Sequence, residues 1–169
     1  IDPDPGSDYP ADLYRSDHLA TYVETIADIG APEVERYQRD GYLAVRHALD
    51  PGEVADVLAG LRAILEIPGH DAVQWEAWAA ERVADADGEE RMDMVRKFMF
   101  FTPLDPRTLA LARHQALVDV AKRLCGSDRV DMFQDMALLK PPAGGREKPW
   151  HQDNAYFGYE PGTPVVGVW

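Results

Sequence analysis

From residue 32 the chain alternates apolar and polar positions in blocks of changing period. Val34 and Tyr37 stand at helical spacing and Gly41 offers a helix stop, so the period predicts a short helix. Tyr42-Leu-Ala-Val45 then has the aromatic and branched content of a strand. Asp50 is a predicted N-cap, with Pro51 at the first helical position and Glu53 placed to complete a capping box. Val54, Val57, Leu58, Leu61, Ile64 and Leu65 supply the apolar face of that second helix.

Between Pro68 and Asp93 the pattern is irregular, acidic and marked by Trp75 and Trp78. It reads either as a helical insertion or lid, or as an acidic solvated helix pinned by two tryptophans. Residues 94–101, MVRKFMFF, return to strand composition, and Pro106 to Gly126 reads as one helix. The last part holds three strand-like runs, RVDMFQDMALLKPP, PWHQDNAYFGY and PGTPVVGVW, separated by Pro/Gly turns and the loop AGGREK. Short strands at this spacing predict an antiparallel sheet or barrel. The expected organisation is one α+β domain over 1–169: an N-terminal arm (1–30), a mainly helical part (31–126), and the first core strands (127–169). The apolar run PVVGVW, with no turn or polar tail after it, predicts that the chain is a fragment of that domain.

Composition narrows the function classes. A formal net charge of −13 over 169 residues sets a repulsive field against phosphate backbones and anionic lipid, so the expected partner is a small molecule, with no nucleic acid and no membrane. No apolar run is long enough to cross a bilayer, the N-terminus has no signal-like pattern, and a cytoplasmic location is expected. The single cysteine, Cys125, ends an apolar helix pattern and reads as core filling. No internal repeat is present, and nothing in the sequence specifies an oligomeric state.

The candidate chemistry lies in His151-Gln152-Asp153. On a strand, residues i and i+2 share a face, so His151 and Asp153 would set an imidazole and a carboxylate side by side. With one further histidine they would form the two-histidine, one-carboxylate face of non-haem iron oxygenases, which leaves metal positions open for co-substrate and O2. A lone His-x-Asp is a weak signal, and its plainer reading is a structural pair. The surrounding order of residues strengthens it: Lys140-Pro-Pro, a glycine-rich loop, HQD, Tyr156-Phe157 and a strand-ending Trp169.

This block, LLKPPAGGREKPWHQDNAYFGYEPGTPVVGVW, together with ERYQRDGYLAVRHALDPGEV upstream, resembles the phytanoyl-CoA dioxygenase family of Fe(II)- and 2-oxoglutarate-dependent oxygenases. The resemblance covers residues 33 to 66 and 129 to 169. It implies a double-stranded β-helix (jelly-roll, cupin-like) core behind N-terminal helices, only partly covered by this chain. It makes His151 and Asp153 iron ligands, and it aligns Met136 and Trp169 with positions that touch 2-oxoglutarate. It also implies that Gln152 contacts the co-substrate or orders a ligand, and that Lys97 lies near 2-oxoglutarate. The implied reaction consumes O2 and decarboxylates 2-oxoglutarate to succinate while hydroxylating a small organic substrate. Asp153 itself favours hydroxylation, because related halogenases carry a small residue at that position. The family's second histidine ligand and its 2-oxoglutarate-anchoring arginine are expected beyond Trp169. His18, His47, His70 and His114 have no carboxylate at motif spacing and read as surface or packing residues.

Two other readings use the same pair. A cupin-like hydrolase or isomerase would hold Zn2+ or Mn2+ there and turn over without 2-oxoglutarate. A non-catalytic β-sandwich module would use the pair only for hydrogen bonding. Arg146 and Lys148 could grip an anionic substrate, although exposed loop cations are more often solvated.

Overall fold

The computed structural model describes residues 16–17, 19–141 and 151–169. Its elements run β1 (Tyr22–Thr25), α1 (Ala31–Asp40), β2 (Ala44–His47), α2 (Pro51–Ile64), β3 (Val73–Trp75), α3 (Gly88–Met94), β4 (Val95–Met99), α4 (Pro106–Ala112), α5 (Gln115–Cys125), β5 (Met136–Leu138) and α6 (Asn154–Phe157). β1 and β2 form a parallel pair, and β3, β4 and β5 form an antiparallel sheet in that order.

The helix ends follow the sequence closely. Gly41 closes α1 at φ 81°, donating its N–H to the Tyr37 carbonyl at 2.8 Å. At the start of α2, Asp50 Oδ1 accepts from the Glu53 N–H and Glu53 Oε2 accepts from the Asp50 N–H, both at 2.9 Å. This is the reciprocal box that the spacing predicts.

Tertiary contacts move other boundaries. The expected N-terminal arm contributes structure, because Tyr22–Thr25 pairs with β2 in the register Tyr22↔Ala44, Val23↔Val45 and Thr25↔His47. That register starts β2 at Ala44 and leaves Tyr42 exposed. The helix expected over Pro106–Gly126 is two helices. His114 leaves helical geometry and caps α5, its Nδ1 accepting from the Leu117 N–H at 3.4 Å while its Nε2 lies 3.0 Å from Glu53 Oε1 on α2. A side chain that caps one helix and reaches a second ends the first without proline or glycine. Cys125 is half-buried. The tryptophan segment is neither one solvated helix nor a simple insertion. Trp75 lies on β3 against the core, whereas Trp78 is exposed on a 3-10 turn with Arg82 over its ring.

The core joins Leu61 and Ile64 of α2, and Leu65 just after it, to Ala72, Val95, Phe98 and Phe101, with Val73, Trp75 and Ala137 packed on it. Val54 and Leu58, on the predicted apolar face of α2, remain exposed, so only the last turns of that face are buried. Register shifts between Gln74 and Trp75, where Gln74 opposes Lys97 and Trp75 opposes Val95. The extra residue on β4, Arg96, changes the phase of the pleat and lets Val95 and Phe98 both point inward. Beyond the bulge, the row Val73, Phe98, Ala137 faces the core, so the row Gln74, Lys97, Leu138 faces outward, as do Met99 and Met136.

Of the three strand-like runs expected at the end, β5 is the strand found among the described residues. Residues 151–169 form α6 and irregular chain instead. Gly158 at φ 66° ends α6, and Asn154 closes the turn by accepting from the Tyr159 N–H at 3.0 Å and donating to the Tyr159 carbonyl at 3.1 Å. These local bonds hold the backbone in a turn, away from a ladder. The described residues thus make a mixed α+β architecture with two small sheets.

Two interactions where α2 meets α4 generate tests. A Cβ on buried Gly60 would lie 2.9 Å from Thr108 Cγ2 and 3.0 Å from Asp105 Oδ1. Thr108 is fixed by its hydroxyl donating to the Thr102 and Asp105 carbonyls, so neither neighbour yields easily. Gly60→Ala is therefore expected to destabilise by about 1–2 kcal/mol, opposite in sign to the gain of about 1 kcal/mol at an open helical site. Urea unfolding measures it. Asp105 caps α4 and accepts from the Arg107 backbone N–H and from its guanidinium at 2.8–2.9 Å. Hydrogen bonding from the guanidinium holds the Asp105 carboxyl below its usual range. Its stabilising contribution is thus full above the unfolded-state value near pH ~4 and is lost as pH falls through the lower folded value. Between pH 5 and 3 the parent should lose more stability than Asp105→Asn, as read by thermal melts across pH.

Candidate functional site

His151, Gln152 and Asp153 lie in the turn that leads into α6, so the strand placement expected for them is corrected. Asp153 has helical dihedrals, and its carbonyl accepts from the N–H groups of Tyr156 at 2.8 Å and Phe157 at 3.1 Å. The turn still brings the two side chains together. His151 Nε2 lies 3.2 Å from Asp153 Oδ1, with the imidazole meeting the Tyr156 ring edge-on at a centroid distance of 5.8 Å. The side chains remain 41% and 56% exposed.

This pair fits two corners of a metal site. Adjacent donors around an octahedral ion at about 2.1 Å stand roughly 3 Å apart, close to the separation here. An imidazole nitrogen and a carboxylate oxygen are also the donor types that suit a divalent transition metal. Among the described residues no cluster of three or more His, Cys, Asp or Glu forms. Three other histidines are engaged elsewhere: His47 lies 3.8 Å from Glu24, His70 bridges the Ile64 carbonyl and the Ala72 N–H, and His114 meets Glu53. His18, Arg146, Lys148 and the glycine-rich loop lie outside the described residues.

Aromatic packing anchors the turn to the sheet. Phe133 meets Phe157 at 4.9 Å and Tyr159 at 5.4 Å between ring centroids, both edge-on. Two residues later Asp135 accepts from the Phe101 N–H at 2.8 Å, the Thr102 N–H at 3.4 Å and the Thr102 hydroxyl at 2.8 Å. Met136 then begins β5 opposite Met99. The His-Asp turn is thereby tied to the Met136 end of the three-stranded sheet.

Lys97 and Met136 lie on the outward face of that sheet, on neighbouring strands and in adjacent rows of that face. Gln152 is exposed beside the donor pair. Trp169 is not gathered in, being 99% exposed with its indole over Gly167. Sequence reasoning missed Asp135, Phe133 and Tyr156 as the residues that support this region. Asp135 and Phe133 stand inside the strand-like run RVDMFQDMALL with no capping or motif spacing to mark them, whereas Tyr156 was visible only as half of an aromatic pair.

Comparison with known proteins adds the family. The family model for phytanoyl-CoA dioxygenase (PhyH) matches residues 37–169. The ectoine dioxygenase of Bordetella bronchiseptica is 29% identical over 155 residues, covering 91% of this chain and 47% of its own length. The ectoine dioxygenase of Streptomyces anulatus is 29% identical over 136 residues (80% and 42%), and the L-proline trans-4-hydroxylase of Streptomyces griseoviridis is 28% identical over 127 residues (75% and 42%). The chain spans about half the length of the curated relatives it matches. No solved structure matches. A match that runs from α1 through the sheet to the end of the chain, and contains the His151–Asp153 turn, means that this chain belongs to the phytanoyl-CoA dioxygenase family.

Proposed function

We propose that the protein is an Fe(II)- and 2-oxoglutarate-dependent dioxygenase that hydroxylates a small organic substrate. The observation that carries this reading is the convergence of His151 Nε2 and Asp153 Oδ1 to 3.2 Å within the stretch matched by the family. The two side chains would hold the iron, with a third donor supplied from outside the described residues. Bound iron with 2-oxoglutarate and O2 supplies the oxidising chemistry: one oxygen atom enters succinate as CO2 leaves, and the other enters a substrate C–H bond.

The chain's own residues would orient and select. The Lys97 ammonium offers a counter-charge to a 2-oxoglutarate carboxylate from the outward face of the sheet, beside the apolar surface of Met136 and Leu138. Gln152 sits between the two metal ligands in sequence and can hydrogen-bond the co-substrate, and Trp169 would complete the co-substrate contacts once drawn toward the sheet. The β3–β4–β5 sheet would form part of a jelly-roll completed by further strands. The names of the relatives, ectoine dioxygenase and L-proline trans-4-hydroxylase, support a compact amino-acid-derived substrate. The formal charge of −13 disfavours a polyphosphate ligand such as an acyl-CoA. A cytoplasmic location accords with the reading, and no helix among the described residues is long and apolar enough to cross a membrane.

Two measurements test it. In the full-length protein, succinate release from 2-oxoglutarate should require Fe(II) and fall by more than about a hundredfold in His151→Ala and in Asp153→Ala, since losing even an outer partner of a metal ligand costs 10–100-fold. Turnover that persists without 2-oxoglutarate would point to a hydrolase or isomerase instead. Lys97→Met should raise the KM for 2-oxoglutarate by about tenfold while kcat changes less, the pattern of a lost binding contact; steady-state kinetics with 2-oxoglutarate as the varied substrate reads this split.

A further inference from the structure

Phe100 follows β4 between two buried aromatic rings, Phe98 and Phe101, yet its own ring is 59% exposed. Among the described residues it is also the non-glycine residue with positive φ, at 53°. A bulky L-residue adopts that conformation only at a cost, so the surrounding structure must impose it. The imposing group is Asp135. Its carbonyl accepts from the Phe100 N–H at 3.3 Å, and its carboxylate holds the next two residues through Phe101 and Thr102. The backbone is thus bent at Phe100, and a large apolar ring is kept out of an adjoining apolar core.

The location gives that cost a use. Phe100 adjoins Met99, which pairs with Met136, and its partner Asp135 stands two residues from Phe133, the ring that anchors the turn after His151 and Asp153. Phe100 and the two methionines therefore lie at the Met136 end of the sheet, the end to which the turn after His151 and Asp153 is tied through Phe133. We infer that Phe100 is a specificity-determining residue, its ring forming with Met99 and Met136 an apolar wall against the saturated C–H face of a small cyclic amino-acid-like substrate. This rests on the dioxygenase reading above.

A strained residue kept for ligand contact and a ring kept for packing respond differently to substitution. The test uses full-length protein with Fe(II), 2-oxoglutarate and either L-proline or ectoine as the substrate, comparing the parent with Phe100→Gly and Phe100→Ala. Relief of the left-handed strain should make Phe100→Gly melt about 2–4 °C above Phe100→Ala. Both variants should raise the KM for the accepted substrate about tenfold, with the KM for 2-oxoglutarate unchanged. An unchanged substrate KM, or a Phe100→Gly protein no more stable than Phe100→Ala, overturns the inference; a large drop in melting temperature in both variants with normal KM would assign the ring to packing against another part of the protein. Succinate release by the parent that needs no Fe(II), or that survives in His151→Ala and Asp153→Ala, overturns the dioxygenase reading itself, and the inference with it.

Discussion

The fully buried ring of Phe98 is the constraint on which the arrangement turns. It sits between the last turns of α2 and the inward face of the sheet, in edge contact with Phe101 at 5.9 Å between centroids. Fixing one residue of a pleated strand fixes the facing of its neighbours. With Phe98 inward, Lys97 and Met99 must face outward, and the ladder passes that choice to Leu138 and Met136 across the pair. The chemistry assigned to the outward face is thus set by packing on the opposite one. A register slip of one residue would bury an ammonium and expose the core together.

The donor pair is held differently. His151 and Asp153 are substantially exposed, and an exposed pair of this kind contributes little to stability. The Gln152 and Asp153 carbonyls accept from the backbone of the turn that carries the pair, and the Asn154–Tyr159 bridge closes that turn. Such a pair can exchange its contact for a cation without loss to the fold. The aromatic group at Phe133 joins the turn that carries the pair to the rest of the structure.

The features legible in the sequence were those with local causes. Asp50, Pro51 and Glu53 specify the start of α2 within four residues, and Gly41 specifies the end of α1. The strand character of MVRKFMFF was legible too, because buried β4 carries its signal in composition. What escaped depended on distant partners. Nothing in Tyr22–Thr25 announces its pairing with β2, and the break at His114 arises from a capping imidazole that also reaches Glu53 on α2. For the candidate site, the identities of His151 and Asp153 were visible and their proximity was anticipated, but on a strand rather than a turn. The i, i+2 spacing serves both backbones, and the closing bonds from Asn154 and Gly158 decided which one formed. Lys97 and Met136 could be joined only through the strand register, which no local pattern encodes.

The Asp135 clamp has a consequence for the order in which this protein opens. It joins residues 34 positions apart, with α4 and α5 both lying in the loop it closes. A contact across so long a loop carries a closure cost when it forms. Among the described residues the neighbouring strand β5 is three residues long and lies at an edge of the sheet, so few ladder bonds share the load. Local unfolding should therefore begin where β5 leaves β4, releasing Met136 and the anchor of the His151–Asp153 turn while Phe98 stays buried. Amide exchange at Phe101 and Thr102 would report that event directly, as a native fluctuation of the Met136 end of the sheet distinct from global unfolding.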